Sequence, residues 1–359
     1  MCKVGDATDS VPTGWTQEAG MNASAWLGID VAKETLEASL LQDSRVAHGA
    51  FDNTLAGFKK LANWLKKRHV AQAHVCLEAT GRYSEAVAEY LHAAGHTVSV
   101  INPARLKAFG QASLTRTKTD QTDAALLAQF CQRQQPAPWQ PPAPEKRALR
   151  ALVRRRESLL QLRQQEVNRL KSGEDDRLVL RSLKAVVAFL DKQVAQVEQA
   201  ITDQAAGTPE LQRQIELVDS IKGIGLTTAA ALVAEIDFEA YPGPRQLVAQ
   251  AGLNPRQRQS GTSVHGKPRL SKQGSSQLRK ILYFPAVSAM RYNPVIHAFA
   301  EGLAKRGKHK MAIICACMRK LLHLVYGVLK TGLPFDPDYQ AKRAKPAKPV
   351  ELAKQLQPA

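Results

Sequence analysis

Two carboxylates three residues apart, Asp120 and Asp123, stand just before an apolar run, Ala124, Ala125, Leu126, Leu127, Ala128 and Phe130. On a helix, residues three apart share a face, so both acids point the same way. Like charges held close disfavour each other's ionisation. A divalent cation removes that penalty, and hard oxygen donors suit Mg2+ or Mn2+. Two further acids, Asp30 and Glu78, sit where buried strands should end. The expectation is that Asp30, Glu78, Asp120 and Asp123 form one metal site, holding two ions roughly 3.5–4 Å apart. Such a pair activates a nucleophile on one side of a phosphodiester and stabilises the leaving oxygen on the other. Any one of these acids could be a surface carboxylate or a helix cap. Asp30 and Glu78 fit that reading least, because unpaired charge inside apolar strands is expensive. Arg116 and Lys118, just before the pair, are placed to meet a scissile phosphate or are ordinary loop charges.

A second candidate is Ser260. It lies in a Gly- and Ser-rich stretch with Arg256, Arg258, Lys267, Arg269 and Lys272 near in sequence, and Arg279 follows. A serine hydroxyl is a weak nucleophile until activated, and surrounding cations could lower its pKa and hold a phosphate in line. Composition alone does not separate Ser260 from Ser263 or Ser271, and a serine in such a stretch is commonly a turn residue.

These residues need elements to hold them. Residues 1–24 read as a flexible leader. From 25 to 135 the order is β-β-β-α-β-α-β-α, with acids on the first strand, at the end of the fourth, and on the last helix. Prolines 136, 138, 141, 142 and 144 mark a linker over 136–144. From 145 to 206 the chain reads as a helical hairpin. Leu183, Val187, Leu190, Val194, Val197 and Ile201 alternate steps of four and three, a heptad seam expected to form a coiled-coil arm for self-association, the alternative being a hairpin packed within the chain. Residues 207–332 read as a mainly α C-terminal domain. There Lys222, Gly223 and Gly225 between two helices resemble a helix-hairpin-helix, which offers backbone N–H groups to a phosphate. The alternative is a plain tight turn needing positive φ. Residues 333–359 read as a disordered basic tail.

Composition narrows the function classes. The 359 residues carry a net charge of +18. Between Pro255 and Lys330 there are fifteen Lys or Arg and a single acid, Glu301, a field that attracts polyanions, nucleic acid first among them. The five cysteines form no CxxC pair, so buried reduced thiols in a cytoplasmic protein are expected rather than a zinc site. No apolar run is expected to reach the roughly 18 residues a membrane span needs, and no signal peptide is evident.

The motifs Gly28-Ile-Asp-Val-Ala-Lys-Glu34, Leu77-Glu-Ala-Thr-Gly-Arg-Tyr83, Asn102-Pro103 and Arg116-Thr-Lys-Thr-Asp-Gln-Thr-Asp-Ala124 resemble the DEDD domain of insertion-sequence-110 family transposases. Ile221-Lys-Gly-Ile-Gly225, Gly252-Leu-Asn-Pro255, Ser260-Gly261, Leu270-Ser-Lys-Gln-Gly274 and Leu278-Arg-Lys-Ile-Leu-Tyr283 resemble that family's C-terminal domain. The first domain is accordingly expected to have a RuvC-like, ribonuclease H-like fold. The resemblance implies a bacterial, nucleoid-associated site-specific DNA recombinase that mobilises its own element. It implies metal-binding roles for Asp30, Glu78, Asp120 and Asp123, and makes Ser260 a nucleophile forming a covalent phosphoserine link to DNA. It also implies assembly from dimer to tetramer through the arm, the acids of one subunit completing the serine site of another. A bridge RNA pairing with donor and target DNA is a further expectation. The alternative is a metal-dependent Holliday-junction-type nuclease in which water attacks and Ser260 is structural.

Overall fold

The computed structural model describes residues 25–79, 81–112, 119–173, 175–260 and 264–339. The expected leader, residues 340–359 of the expected basic tail, and Arg116, Lys118 and Ser263 fall outside the described residues. The chain divides into two compact units, 1–141 and 142–359.

Unit 1 holds a five-stranded sheet. Its strands are β1 (Ala25–Val31), β2 (Thr35–Gln42), β3 (Arg45–Asp52), β4 (His74–Glu78) and β5 (Thr97–Ile101). The spatial order is β3-β2-β1-β4-β5. The first three strands form an antiparallel meander, and β4 and β5 run parallel to β1, giving a mixed sheet. Helices α1 (Leu55–Lys66) and α2 (Arg82–Ala93) follow β3 and β4. Two more, α3 (Pro103–Ala112) and α4 (Asp120–Gln134), follow β5. Sequence reading counted one helix after β5. Asn102-Pro103 does end the strand, but Pro103 also opens α3, a position where its missing N–H costs nothing.

Period-two alternation sorts the sheet residues onto two faces. Leu27, Ile29, Leu36, Ala38, Leu40, Val75, Leu77 and Val98 face one way. They bury against Phe58, Leu61 and Leu65 of α1 and Val87, Ala88 and Leu91 of α2. The other face carries Gly28, Ser39, Cys76 and Ile101, and α4 packs there through Leu127, Phe130 and Cys131. Beyond β5, Trp139 N–H donates to the Val98 carbonyl at 2.7 Å, so the proline-rich segment covers part of that sheet edge.

Unit 2 is mostly helical. Helices α5 (Pro144–Lys171) and α6 (Arg177–Ala206) form a long hairpin. Of the heptad positions, Leu190, Val194 and Ile201 are buried while Leu183, Val187 and Val197 are partly so. Leu159 of α5 packs on Leu190 and Val194, so the seam faces α5 within one chain. Arg156–Glu198, at 2.6 Å, and Arg163–Asp191 bridge the two helices. Toward the tip, Leu178 is 73% and Phe189 60% exposed.

The remaining helices are α7 (Pro209–Asp219), α8 (Leu226–Glu235), α9 (Pro244–Gln250), α10 (Ser276–Tyr292), α11 (Pro294–Lys305) and α12 (Lys310–Thr331). They enclose one core with the base of the hairpin, where Leu149, Val153 and Ile201 join Leu232, Leu282 and Leu321. α12 corrects one expectation. It is long and apolar enough to cross a membrane by length and composition. Its buried Ile313, Ile314, Leu321, Leu322 and Val325 are instead the centre of this core, which accounts for the apolarity. A second difference lies between α9 and α10. The stretch expected to be a Gly/Ser-rich loop contains a hairpin of β6 (Pro255–Ser260) and β7 (Val264–Leu270).

Candidate active site

The acid site is built on the sheet face that α4 covers. Asp30 lies on that face in β1, and Glu78 ends β4, one step beyond the last β1–β4 pair, Ile29 with Leu77. The two acids are therefore neighbours on adjacent parallel strands. What brings α4 to them is Gly28. A Cβ there would sit 2.1 Å from the Ala124 carbonyl oxygen and 2.3 Å from the Ala128 nitrogen. Only a bare backbone lets the helix lie directly on β1.

Two anchors set the direction of α4. Ala124 to Ala128 crosses at Gly28. Further along the helix, the Cys131 thiol donates to the His74 carbonyl at 3.3 Å, and His74 is in register with Trp26. The helix thus runs against β1, and its first turn points toward the strand ends. From Gly28 to Asp30 the strand advances about 7 Å. From Ala124 back to Asp120 the helix covers about 6 Å in the same sense. Asp120 and Asp123 therefore arrive at the end of the face where Asp30 and Glu78 lie. Asp120 is exposed and the other three are half-buried.

The start of α4 is fixed by its own cap. The Thr119 hydroxyl accepts from the Thr122 N–H at 3.2 Å, and the Thr122 hydroxyl accepts from the Thr119 N–H at 2.8 Å. This reciprocal box closes through two threonines that stand on either side of Asp120 in sequence. Carboxylates in the first turn are also favoured by the helix dipole.

One acid escaped sequence reasoning. Glu37 is directly opposite Asp30 in the β1–β2 register, so it faces the same way and is half-buried. The alternation of Leu36, Ala38 and Leu40, read together with the hairpin register, is the signal that would have found it. The donor set is all carboxylate oxygen, which fits a hard divalent cation.

The same face holds a group of softer donors. His74, Cys76 and Cys131 bring one ligand atom each to within 4.8 Å of one another. Burial pushes the Cys76 thiol up, and the hydrogen bond from Cys76 draws the Cys131 thiol down. The absence of a CxxC pair pointed to buried reduced thiols and gave no sign that Cys76 and Cys131 meet.

Ser260 belongs to unit 2. It ends β6 and pairs with Val264 of β7. Arg256 pairs across the hairpin with Arg269, and both are exposed. Like charges placed opposite one another repel, and an anion between them would relieve that repulsion. Arg258 pairs with Gly266, and Lys267 lies one step further along β7. Lys272 is exposed and adopts a positive φ of 54°.

Other basic candidates turn out to have work inside the fold. One Nη of Arg279 donates to the carbonyls of Ala251, Gly274 and Ser275 at 3.0–3.2 Å. It thus ties the end of α9 to the start of α10. Gly223 has a φ of +103°, and a Cβ there would meet the Ala289 Cα of α10 at 2.6 Å. The Lys222 carbonyl accepts from the Asn293 amide at 3.1 Å. Tight packing on α10 thus explains Gly223 without a phosphate, while Gly225 stands in open space just before α8.

Comparison with known proteins places the chain. The family described as "Transposase" (DEDD_Tnp_IS110) matches residues 27–173, and "Transposase IS116/IS110/IS902 family" matches residues 215–301. The pilin gene-inverting protein of Moraxella bovis is 34% identical over 326 residues, 88% of this chain and 98% of that protein. The chain belongs to the IS110 family of transposases. This IS110-family transposase is also 24% identical to the transposase for insertion sequence element IS1328 of Yersinia enterocolitica, over 86% of this chain and 98% of that one. Among solved structures, T. thermophilus RuvC in complex with a Holliday junction substrate aligns with 31% of this chain and 95% of its own, at 13% identity. Its TM-score of 0.24 is too low to carry a fold assignment. An IS110-family transposase acts on DNA, and the acid platform and the basic hairpin both lie within the matched segments.

Proposed function

We propose that this IS110-family transposase cuts and rejoins DNA with a four-acid metal platform and a serine nucleophile. The observation that carries this reading is the arrival of Asp30, Glu78, Asp120 and Asp123 at one end of one sheet face. Those four residues would hold two Mg2+ (or Mn2+) ions, which supply charge stabilisation for the phosphorus centre and its attacking and leaving oxygens. Glu37 stands beside Asp30 as a further carboxylate to orient a ligand or a water.

Ser260 Oγ attacks the phosphorus of a DNA phosphodiester. A bond forms between Oγ and phosphorus, and the bond to one deoxyribose oxygen breaks. The serine proton passes to a base, and the leaving oxygen takes up a proton. A second deoxyribose hydroxyl then reverses the step on another strand, so no high-energy cofactor is needed. Arg256 and Arg269, paired across the hairpin, are placed to bind DNA phosphates on either side, with Arg258, Lys267 and Lys272 extending the basic surface. Arg116 and Lys118 precede the acids in sequence and are assigned to the scissile phosphate.

We propose two further parts. The exposed apolar side chains near the hairpin tip, Leu178 and Phe189 among them, support self-association of the arm into a dimer or tetramer. A bridge RNA guiding donor and target choice is consistent with the +18 charge; sequencing RNA that copurifies with the protein tests it.

The test of the chemistry is a denaturing gel of protein incubated with element-end DNA and Mg2+. A covalent adduct mapping to Ser260, lost in Ser260→Ala while DNA binding persists, is expected. Free cleaved ends with no adduct would establish instead a nuclease in which water attacks and the serine is structural.

A further inference from the structure

His74, Cys76 and Cys131 have no part in the chemistry above, yet they are gathered on the face that carries it. We propose that these three residues form a second cation site, selective for Zn2+, two residues along β4 from Glu78.

The three ligand atoms lie within 4.8 Å of one another. A tetrahedral Zn2+ holds sulfur at about 2.3 Å and nitrogen at about 2.0–2.1 Å, so neighbouring donors sit roughly 3.5 Å apart. Side-chain shifts of about 1 Å therefore close the set. Both cysteines are fully buried, and Cys131 already reaches over β4 to the His74 carbonyl.

The imidazole is held as a metal ligand's would be. His74 Nε2 is 2.9 Å from Ser99 Oγ. The Ser99 hydroxyl has one proton, and it points to the carbonyls of Pro136 and Ala137 at 3.0 and 2.9 Å. Ser99 therefore accepts from His74, which places the ring proton on Nε2 and leaves Nδ1 with its lone pair. A hydrogen bond at one ring nitrogen, fixing tautomer and ring orientation, is the usual support of a histidine that ligates through the other. Two plain buried thiols would need no such neighbour.

Donor softness separates the two sites on this face. Thiolate and imidazole favour Zn2+, whereas carboxylates alone favour Mg2+. On binding, the two thiols release their protons to solvent while two S–Zn bonds and one N–Zn bond form. No redox change occurs, and a water molecule completes the fourth position. The bound ion would clamp α4 to β4 and so hold the helix that carries Asp120 and Asp123.

The full-length chain, stripped of metal by chelator and kept reduced, is titrated with Co2+ in excess Mg2+, which occupies the carboxylates. A sulfur-to-cobalt charge-transfer band in the near ultraviolet, saturating at about one Co2+ per chain and erased by Zn2+, is expected. Cys76→Ser and Cys131→Ser remove the band, Cys315→Ser and Asp120→Asn retain it, and Ser99→Ala weakens affinity about ten- to a hundredfold. Should the cysteine variants fail to fold, X-ray absorption of the wild-type zinc protein decides. Two sulfurs near about 2.3 Å support the site, and an oxygen and nitrogen shell without sulfur overturns it. A wild-type protein that gives no charge-transfer band, or whose Cys76 and Cys131 are found joined as a disulfide, also overturns it.

Discussion

The two faces of the five-stranded sheet are made by the same strands yet do opposite work. The buried strand residues on the face under α1 and α2 are all leucine, isoleucine, valine or alanine. The face under α4 alternates with it residue by residue and carries Gly28, Asp30, Glu37, Ser39, His74, Cys76, Glu78 and Ser99. Burial of apolar area holds the sheet from one side, and that frees the other side to carry polar groups that stabilise little. The lesson is a division of labour: substitutions on the first face should cost folding, and substitutions on the second should cost chemistry.

The largest expected effect is on the polar face. Asp30→Asn removes a carboxylate worth several kcal/mol to the charged transition state, so DNA strand exchange should fall by about a thousandfold or more. Urea unfolding of the same variant should shift little. A large loss of stability with activity retained would break the comparison. On the apolar face the pattern should reverse. Leu77→Ala deletes a fully buried side chain and should cost about 2–5 kcal/mol in denaturant unfolding, with the residual folded protein keeping its Mn2+ affinity.

Gly28→Ala lies between the two. The added methyl meets helix backbone, so α4 must lift. Overpacking of this kind costs about 1–3 kcal/mol, and Mn2+ affinity should fall with it, because the acids of α4 move away from Asp30 and Glu78. Unchanged metal binding in that variant would mean that α4 does not set the site.

The smallest effect concerns His96, buried beside the apolar face, whose Nδ1 accepts from the Ala73 N–H at 3.2 Å. Burial pushes this imidazole below its ordinary value. The unfolded chain therefore takes up the proton first as pH falls. The stabilisation is fully present above the ordinary histidine value of about 6.5 and is lost as pH drops through the lower, folded value. Unfolding midpoints at neutral and mildly acidic pH should show this drop, and His96→Gln should flatten it.

Much of this architecture was legible in the sequence because its periodicities are plain. The apolar runs Trp26–Val31 and His74–Ala79 and the alternation of Leu36, Ala38 and Leu40 marked strands, and the apolar residues after Asp120 and Asp123 marked a helix. Three features were not legible, for separate reasons. Glu37 joins the acids only through cross-strand register, which one strand read alone does not contain. His74, Cys76 and Cys131 meet only because Gly28 lets α4 lie flat on β1, a tertiary contact between residues a hundred positions apart. The β6–β7 hairpin is polar and basic on both sides, so it lacks the half-buried alternation that signals a strand. Arg279 and Gly223 show the converse. Both looked like phosphate ligands beside a basic segment, and both have internal packing roles that sequence spacing does not reveal.

The central claim is that four acids from three elements make one metal site. Electron paramagnetic resonance of Mn2+ binding tests it most directly, with Asp30→Asn, Glu78→Gln, Asp120→Asn and Asp123→Asn measured side by side. Each substitution is predicted to weaken binding by at least about tenfold, the order of effect that even an outer-shell change produces. Full Mn2+ affinity in Asp120→Asn and Asp123→Asn, with loss only in Asp30→Asn and Glu78→Gln, would contradict it by removing α4 from the site.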